Sequence, residues 1–236
     1  MNHENRRDEK GMRRQEALRK EKVKKIFIWS IGVGLVFFAV WGMWKLASTP
    51  PLSSDATRQL LMVSATDRVR GDAGAPVTLI EYLDFQCPAC RAYHPIVQQI
   101  NTDFPTDVRI VTRHFPLSSI HANALPAARA TEAAGRQGKF FEMHDLLYLA
   151  QERWVGERDP KPEFIAMAGE IGADKERFVK DMEDAALDDT IQADQKSGVE
   201  LGVMGTPTFF LNGKKIDNPR TYEDFKALIV AELNKK

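Results

Sequence analysis

The sequence predicts an α/β domain preceded by one transmembrane helix. Three observations lead to this prediction. A strand-like run of β-branched and aromatic residues passes directly into an amphipathic helix, Ala-rich amphipathic segments follow from Ser118 to Leu201, and strand character then returns at Thr206. The predicted order within the domain is therefore strand, helix, strand, several helices, a strand hairpin and a last helix.

Charge is distributed unevenly along a chain whose formal net charge is zero. Residues 1–25 carry ten Lys or Arg against five Asp or Glu, whereas the remaining residues carry 23 against 28. A basic tail can contact nucleic acid, but this tail borders an apolar stretch, which favours a cytoplasmic tail beside a membrane. We therefore predict no nucleic-acid partner.

An uncharged stretch from Ile26 to Trp44 predicts a transmembrane helix at residues 26–46. A helix over those uncharged residues spans about 28 Å, close to the hydrocarbon thickness of a bilayer. Trp29 lies near one end and Trp41 near the other, where indoles favour the headgroup interface, and the cations before Ile26 place the N-terminus inside. A buried core helix and a cleaved signal peptide are the alternatives; an apolar surface on every face and a long basic region disfavour them.

The remaining boundaries follow from composition. Residues 47–68 are rich in Ser, Thr, Pro and Ala without a sustained apolar period, which predicts a linker after the basic tail (residues 1–25) and the transmembrane helix. Residues 69–236 are then one domain, long enough for a single hydrophobic core.

The first half of this domain predicts a strand–helix–strand unit. Val77 to Phe85 is apolar and rich in β-branched residues, as in a central strand. Pro88 suits the first turn of a helix, which Arg91 to Asp103 continues with an apolar stripe interrupted by Pro95. Val108 to Phe115 predicts a second strand, parallel to the first because a helix connects them.

The second half predicts a helical insertion followed by a hairpin. Gly and Pro divide Ser118 to Leu201 into four or five amphipathic segments. Thr206 to Leu211 returns to strand character, and Asn212-Gly213 is a strong hairpin turn before a partner strand beginning at Lys214. Tyr222 to Leu233 predicts the closing helix.

The two cysteines of the chain form the motif Cys87-Pro88-Ala89-Cys90 where the first strand meets its helix. Free N–H groups and the positive dipole end of a helix stabilise a thiolate, which makes Cys87 the candidate attacking sulfur. Cys90 lies one turn further and is the candidate resolving thiol. With no other cysteine, the chain has no separate structural disulfide.

This motif and a second one near the end resemble the thioredoxin superfamily, and the helical insertion resembles its DsbA-like branch. Glu81 stands six residues before Cys87, where the family has a supporting buried acid, and Pro95 stands where the family has a helix-kinking proline. Gly205-Thr206-Pro207-Thr208 matches the cis-proline loop. Further similarity runs from His114-Phe115-Pro116-Leu117 to Gln137–Leu147, and the whole resemblance covers residues 72–233.

The resemblance implies a thioredoxin-like fold with its helical insertion between the second strand and the cis-proline strand. It implies a cis peptide at Pro207, which leaves the Thr206 backbone free to pair with an extended substrate, and a proton-relay role for Glu81 beside Cys90. Without it, Thr-Pro is more often a trans turn, and Glu81 could face solvent. Pro88 and Ala89 support the site, but Ala89 departs from strongly oxidising members, which have a histidine there.

The predicted function is thiol–disulfide exchange with exported proteins, most readily as an oxidant, on the extracytoplasmic side of a bacterial cytoplasmic membrane. The Cys87–Cys90 disulfide is the redox group, with no other cofactor and no metal. The resemblance also implies a quinone-linked membrane partner for reoxidation. A reductase or isomerase on the same fold is one alternative, and a redox-inactive docking or metal-handling module is another.

Overall fold

The computed structural model describes residues 22, 24, 29–44 and 53–235. The chain divides into two units, Met1–Pro51 and Leu52–Lys236. In the first unit residues 29–44 are helical. Among the described residues, no helix is both long enough and apolar enough to cross a bilayer. The other residues of the predicted transmembrane helix lie outside the described part of the chain, so the anchor stays a prediction.

The second unit is a five-stranded mixed sheet with helices on both faces. Its strand order is β1-β3-β2-β4-β5. Strands β2 and β3 are parallel, as predicted, and β1, β4 and β5 each pair antiparallel with their neighbours. The strands are β1 (Arg68–Arg70), β2 (Val77–Leu83), β3 (Val108–His114), β4 (Thr208–Leu211) and β5 (Lys214–Ile216). The helices are α1 (Ser54–Leu60), α2 (Pro88–Asp103), α3 (Ala124–Gly135), α4 (Phe140–Leu149), α5 (Lys161–Glu170), α6 (Lys175–Glu183), α7 (Leu187–Glu200) and α8 (Tyr222–Leu233), with a short 3-10 turn at Gln151–Arg153.

Alternation along β2 divides the core between the two faces of the sheet. Val77 and Leu79 are buried with Ile100 of α2 and Phe225 of α8. Ile80 lies on the opposite face, in a cluster that also contains Leu61, before β1, and Val203, before β4. A third cluster joins the end of β2 and the cysteine motif to the five helices α3–α7, and its centre is the fully buried Trp154.

The predicted insertion, hairpin and last helix are confirmed. Asn212 and Gly213 both have positive φ, as the two-residue turn between β4 and β5 requires. Helix α8 begins after Thr221, whose side chain accepts a hydrogen bond from the Asp224 backbone N–H. Gly198 of α7 lies where a Cβ would meet the Phe115 ring at 2.7 Å, which explains a glycine inside a helix.

Two elements were not predicted, and both lie in or beside the segment interpreted as a linker. Helix α1 begins after Ser53, whose hydroxyl accepts from the Ala56 N–H, and Leu61 after it is buried against the sheet. Strand β1 adds an edge to β3. The described residues 53–68 therefore belong to the second unit, which begins before residue 69.

Candidate active site

The turn that carries the cysteines is organised by Asp84, which follows β2 and is 1% exposed. Its carboxylate accepts hydrogen bonds from the backbone N–H groups of Gln86 and Leu117 at 2.7 and 2.9 Å, and Nδ1 of His121 lies 2.7 Å from it. Its backbone carbonyl accepts from the Cys87 N–H. Sequence reasoning missed Asp84, because two of its partners, Leu117 and His121, are more than thirty residues away in the chain.

Cys87 is the N-cap residue of α2, and Pro88 occupies the first helical turn. The side chain of Cys90, the backbone N–H groups of Cys90 and Ala89, and the Thr206 side chain donate toward its sulfur and lower its pKa to about 5, against the opposing effect of burial. Pro88 and Ala89 are exposed. The Cys87 thiol is therefore ionised at neutral pH.

Cys90 has the opposite environment. It is fully buried, whereas Cys87 keeps 7% of its surface exposed. Burial, together with the neighbouring Cys87 and Glu81, raises the pKa of Cys90 well above its ordinary value. An incoming sulfur can reach Cys87 and not Cys90, so the two thiols can perform different steps of an exchange.

The loop before β4 lies beside Cys87. The Thr206–Pro207 peptide bond is cis, as the resemblance implied. The Cys87 sulfur lies 3.4 Å from the Thr206 carbonyl oxygen, to which the thiol donates when it is protonated. The Asn218 side-chain amide donates to the Pro207 carbonyl at 2.7 Å and holds the loop in place. Four sequence-predicted residues thus meet at one point: Cys87, Cys90, Thr206 and Pro207.

Glu81 lies on β2, on the face that α2 covers, because it alternates with Leu79 and Leu83. It is 4% exposed, so the alternative of a solvent-facing position is wrong. Burial raises its pKa to about 8, which keeps it protonated through neutral pH. The carboxyl group can thus exchange a proton near working pH.

Two side-chain amides tie the helical insertion to the cysteine turn. The Gln151 side-chain amide donates to the carbonyls of Phe85 and Cys87 at 2.8 and 3.3 Å. Gln86 donates to the Val155 carbonyl at 3.1 Å and accepts from the Asn123 N–H at 2.7 Å. Sequence reasoning had no means of finding Gln151, because 64 residues separate it from Cys87.

A second polar cluster lies between α2 and α4, one helical turn after Cys90. Asp145 accepts from both His94 and His144, at 3.1 and 2.8 Å, and its other oxygen accepts from Arg70 at 2.9 Å. The donor atoms of His94, His144 and Asp145 are close enough together to suit a metal ion. However, a guanidinium already neutralises this carboxylate and would repel a cation. The observations favour a hydrogen-bonded contact between α2 and α4, and the predicted lack of a metal stays a prediction.

Comparison with known proteins agrees with this geometry. A family model described as Thioredoxin matches residues 63–231. The chain belongs to this family. Solved structures share the fold: alpha-DsbA1 of Wolbachia pipientis superposes with a TM-score of 0.69 at 22% identity, over 76% of this chain and 96% of that one. BdbD of Bacillus subtilis gives 0.65 at 23% identity, over 72% and 94%.

A thioredoxin-like oxidoreductase from Silicibacter pomeroyi is nearer in sequence, at 27% identity with a TM-score of 0.64 over 76% of this chain and 98% of that one. This DsbA-like chain therefore has the fold of the thiol–disulfide oxidoreductases. The match starts at residue 63, inside the segment predicted as a linker, in agreement with the packing of the residues before β1.

The curated proteins similar to this chain are named as antiporters rather than as oxidoreductases. A Na(+)/H(+) antiporter NhaA 1 of Salinispora arenicola is 37% identical over 218 residues, which are 87% of this chain and 32% of that protein. An NhaA 3 antiporter of Salinispora tropica is 39% identical over 70% of this chain and 24% of its own length. The chain thus spans a third or less of these relatives. Because 87% of the chain is aligned, most of the aligned residues belong to the thioredoxin-like unit, so the first antiporter contains a stretch similar to that unit.

Proposed function

We propose that this DsbA-like protein oxidises thiols of exported proteins. The observation that carries the proposal is the asymmetry of its two cysteines: the accessible Cys87 has a pKa of about 5 and the buried Cys90 a raised one. A thiol of low pKa is a good leaving group and a stable product, so the reduced protein is favoured and the disulfide is a strong oxidant.

The proposed cycle begins with the Cys87–Cys90 disulfide. A substrate thiolate attacks Cys87 and releases Cys90, which takes up a proton; Glu81 is placed to exchange that proton. A second substrate thiolate then attacks the substrate sulfur of the mixed disulfide and releases Cys87 as a thiolate. One substrate disulfide is formed, and two electrons remain on the protein as the two reduced sulfurs.

Reoxidation must pass two electrons to an acceptor. The family resemblance points to a quinone-linked membrane protein, and a transmembrane helix at residues 26–46 would keep the domain near it. The same anchor would place the second unit outside the cytoplasm, where disulfides persist. The Thr206 backbone beside the cis-proline supports binding of an extended substrate segment next to Cys87.

A reductase is the second candidate, and Ala89 favours it. An alanine between the cysteines supplies no positive charge to the Cys87 thiolate, which weakens the driving force for oxidation. The threonine before the proline, which family isomerases share, supports an isomerase in the same way.

The deciding experiment equilibrates the full-length protein in glutathione buffers and measures the fraction of Cys87–Cys90 disulfide by thiol alkylation. A reduction potential between about −80 and −180 mV is expected for the oxidant, and a value near −250 mV or below would establish the reductase instead. The rate of Cys87 alkylation should reach half its maximum near pH 5. Both enzymatic functions would be contradicted if no disulfide formed at any ratio of reduced to oxidised glutathione. They would also be contradicted if the cysteines bound zinc without thiol exchange.

A further inference from the structure

Gln151 occupies an unusual place for a side chain of the helical insertion. It is 4% exposed and lies in the 3-10 turn after α4, yet its amide reaches the backbone of the cysteine turn. One hydrogen bond goes to the carbonyl of the buried Phe85 and the other to the carbonyl of Cys87. The same Cys87 carbonyl accepts the first helical hydrogen bond of α2, from the Arg91 N–H at 3.2 Å.

The turn that carries Gln151 is itself firmly held. The indole of the fully buried Trp154 donates to the Leu147 carbonyl at 3.0 Å. The Asn123 side chain donates to the carbonyls of Trp154 and Glu157, at 3.3 and 2.8 Å. Gln151 therefore connects a rigid part of the insertion to the nucleophile, and these contacts restrict its amide to one position.

The two redox states depend differently on this connection. In the oxidised protein, the disulfide bond fixes the Cys87 sulfur to the sulfur of Cys90 on α2. In the reduced protein that restraint is absent, and backbone hydrogen bonds keep the Cys87 sulfur beside the N–H groups of Ala89 and Cys90 that stabilise its thiolate. A group that fixes the Cys87 backbone thus stabilises the reduced state more than the oxidised one.

We propose that Gln151 is a positioning residue that holds Cys87 in the geometry of the stabilised thiolate and thereby makes the disulfide more oxidising. The inference rests on the proposed thiol–disulfide exchange. It concerns a residue of the insertion rather than of the cysteine or cis-proline motifs. It gives the insertion a chemical role in addition to its packing role.

The chain offers a matched control in Gln137. Its side-chain amide also makes two hydrogen bonds to the backbone of the insertion. It donates to the Asp174 carbonyl at 3.1 Å and accepts from the Asp174 N–H at 2.9 Å. Gln137→Ala removes a similar pair of hydrogen bonds in a region separate from the cysteine turn. Gln151→Met keeps an unbranched side chain of similar length but has no group that donates a hydrogen bond and no charge.

The experiment measures three quantities for the full-length wild type, Gln151→Ala, Gln151→Met and Gln137→Ala: the equilibrium constant with glutathione, the pH midpoint of Cys87 alkylation, and the urea midpoint of unfolding. For both Gln151 variants we expect an equilibrium constant at least tenfold less oxidising, equivalent to about 30 mV, and a higher alkylation midpoint. Gln137→Ala should change the urea midpoint alone.

The wild-type potential tests the proposed function, whereas the difference between variants tests Gln151, so the two can fail separately. If the Gln151 variants lose stability as Gln137→Ala does but keep the wild-type equilibrium constant and alkylation midpoint, the role is structural and the inference is wrong. A Gln151→Met variant with wild-type values in both would also overturn it, and this holds even if Gln151→Ala fails to fold.

Discussion

At the scale of residues, the site contains two buried acids held protonated for the same reason. Burial raises the pKa of Glu81 to about 8 and that of Cys90 well above its ordinary value. Ionisation of either group costs free energy, because its charge would be buried away from water. In the proposed cycle, substrate attack releases Cys90 as a thiolate, and we propose that the neighbouring Glu81 supplies its proton.

Glu81→Gln should change the pH dependence of stability. Glutamate has a higher pKa in the folded than in the unfolded state, so the folded protein binds the extra proton, and wild-type stability falls as pH rises from about 4.5 to 8. Glutamine lacks this titration. In oxidised protein, where the cysteines do not titrate, the variant should gain a few kcal/mol relative to wild type between pH 5 and 8, by urea unfolding.

Glu152→Gln is the control for this prediction, because the Glu152 side chain is 81% exposed. It should leave the pH profile unchanged. Parallel pH profiles for wild type and Glu81→Gln would show that Glu81 ionises normally, and they would remove the basis for its proton-exchange role.

The site residues that sequence reasoning reached are those carried by short motifs. Cys87 and Cys90 follow from their spacing and their position after a strand, and the cis-proline loop follows from the family resemblance. Asp84 and Gln151 act through contacts with distant segments, and nothing within their own sequence neighbourhood distinguishes them from ordinary polar residues. Only the packing of the insertion against the cysteine turn reveals them.

At the scale of elements, the residues before β1 are attached to the sheet by a buried ion pair. The Arg113 guanidinium donates to both carboxylate oxygens of Asp67, at 2.9 and 3.0 Å, and the two side chains are 5% and 3% exposed. It also donates to the carbonyls of Leu60 and Met62. One arginine on β3 thereby fastens the end of α1 and the segment that follows it.

Asp67→Ala should destabilise the protein by about 3–5 kcal/mol, because it leaves the Arg113 charge buried without its partner. Glu170→Ala is the matched control: Glu170 pairs with Arg153 on the surface, where both side chains are more than 40% exposed, and its loss should cost under about 1 kcal/mol. Urea unfolding measures both. Equal losses would show that the Asp67 pair contributes no more than a surface contact.

A related prediction concerns the boundary of the folded unit. A fragment of residues 52–236 should be more stable than one of residues 66–236, because the shorter fragment lacks α1, the buried Leu61 and two backbone carbonyls that accept from Arg113. Thermal unfolding followed by circular dichroism compares them. Equal melting temperatures would mean that α1 adds nothing to the fold and that the domain begins near residue 69.

The elements with strong periodic or turn patterns were predictable, and the weak ones were not. Strands β2 and β3 are runs rich in β-branched and apolar residues, and β4–β5 have an Asn-Gly turn, so each has a local cause. Helix α1 has no buried residue of its own, and β1 has three residues. Neither element shows an apolar period, and contacts with β3 hold both of them in place.

At the scale of the whole molecule, the main untested prediction is the orientation across a membrane. A reporter enzyme that is active only outside the cytoplasm, fused after Asn234, should be active, whereas the same reporter fused after Lys22 should be silent because the basic tail stays inside. A silent fusion after Asn234 would overturn the predicted topology and, with it, the proposed oxidation of exported proteins.

The two edge strands of the sheet bear on the risk of aggregation. An enzyme that handles unfolded chains meets many exposed segments able to extend any open sheet. Both outer strands, β1 and β5, are three residues long, and each carries two cations: Arg68 and Arg70 on one, Lys214 and Lys215 on the other. Short, charged margins discourage the addition of foreign strands. If the protein acts on exported chains as proposed, these edges protect it from co-aggregating with them.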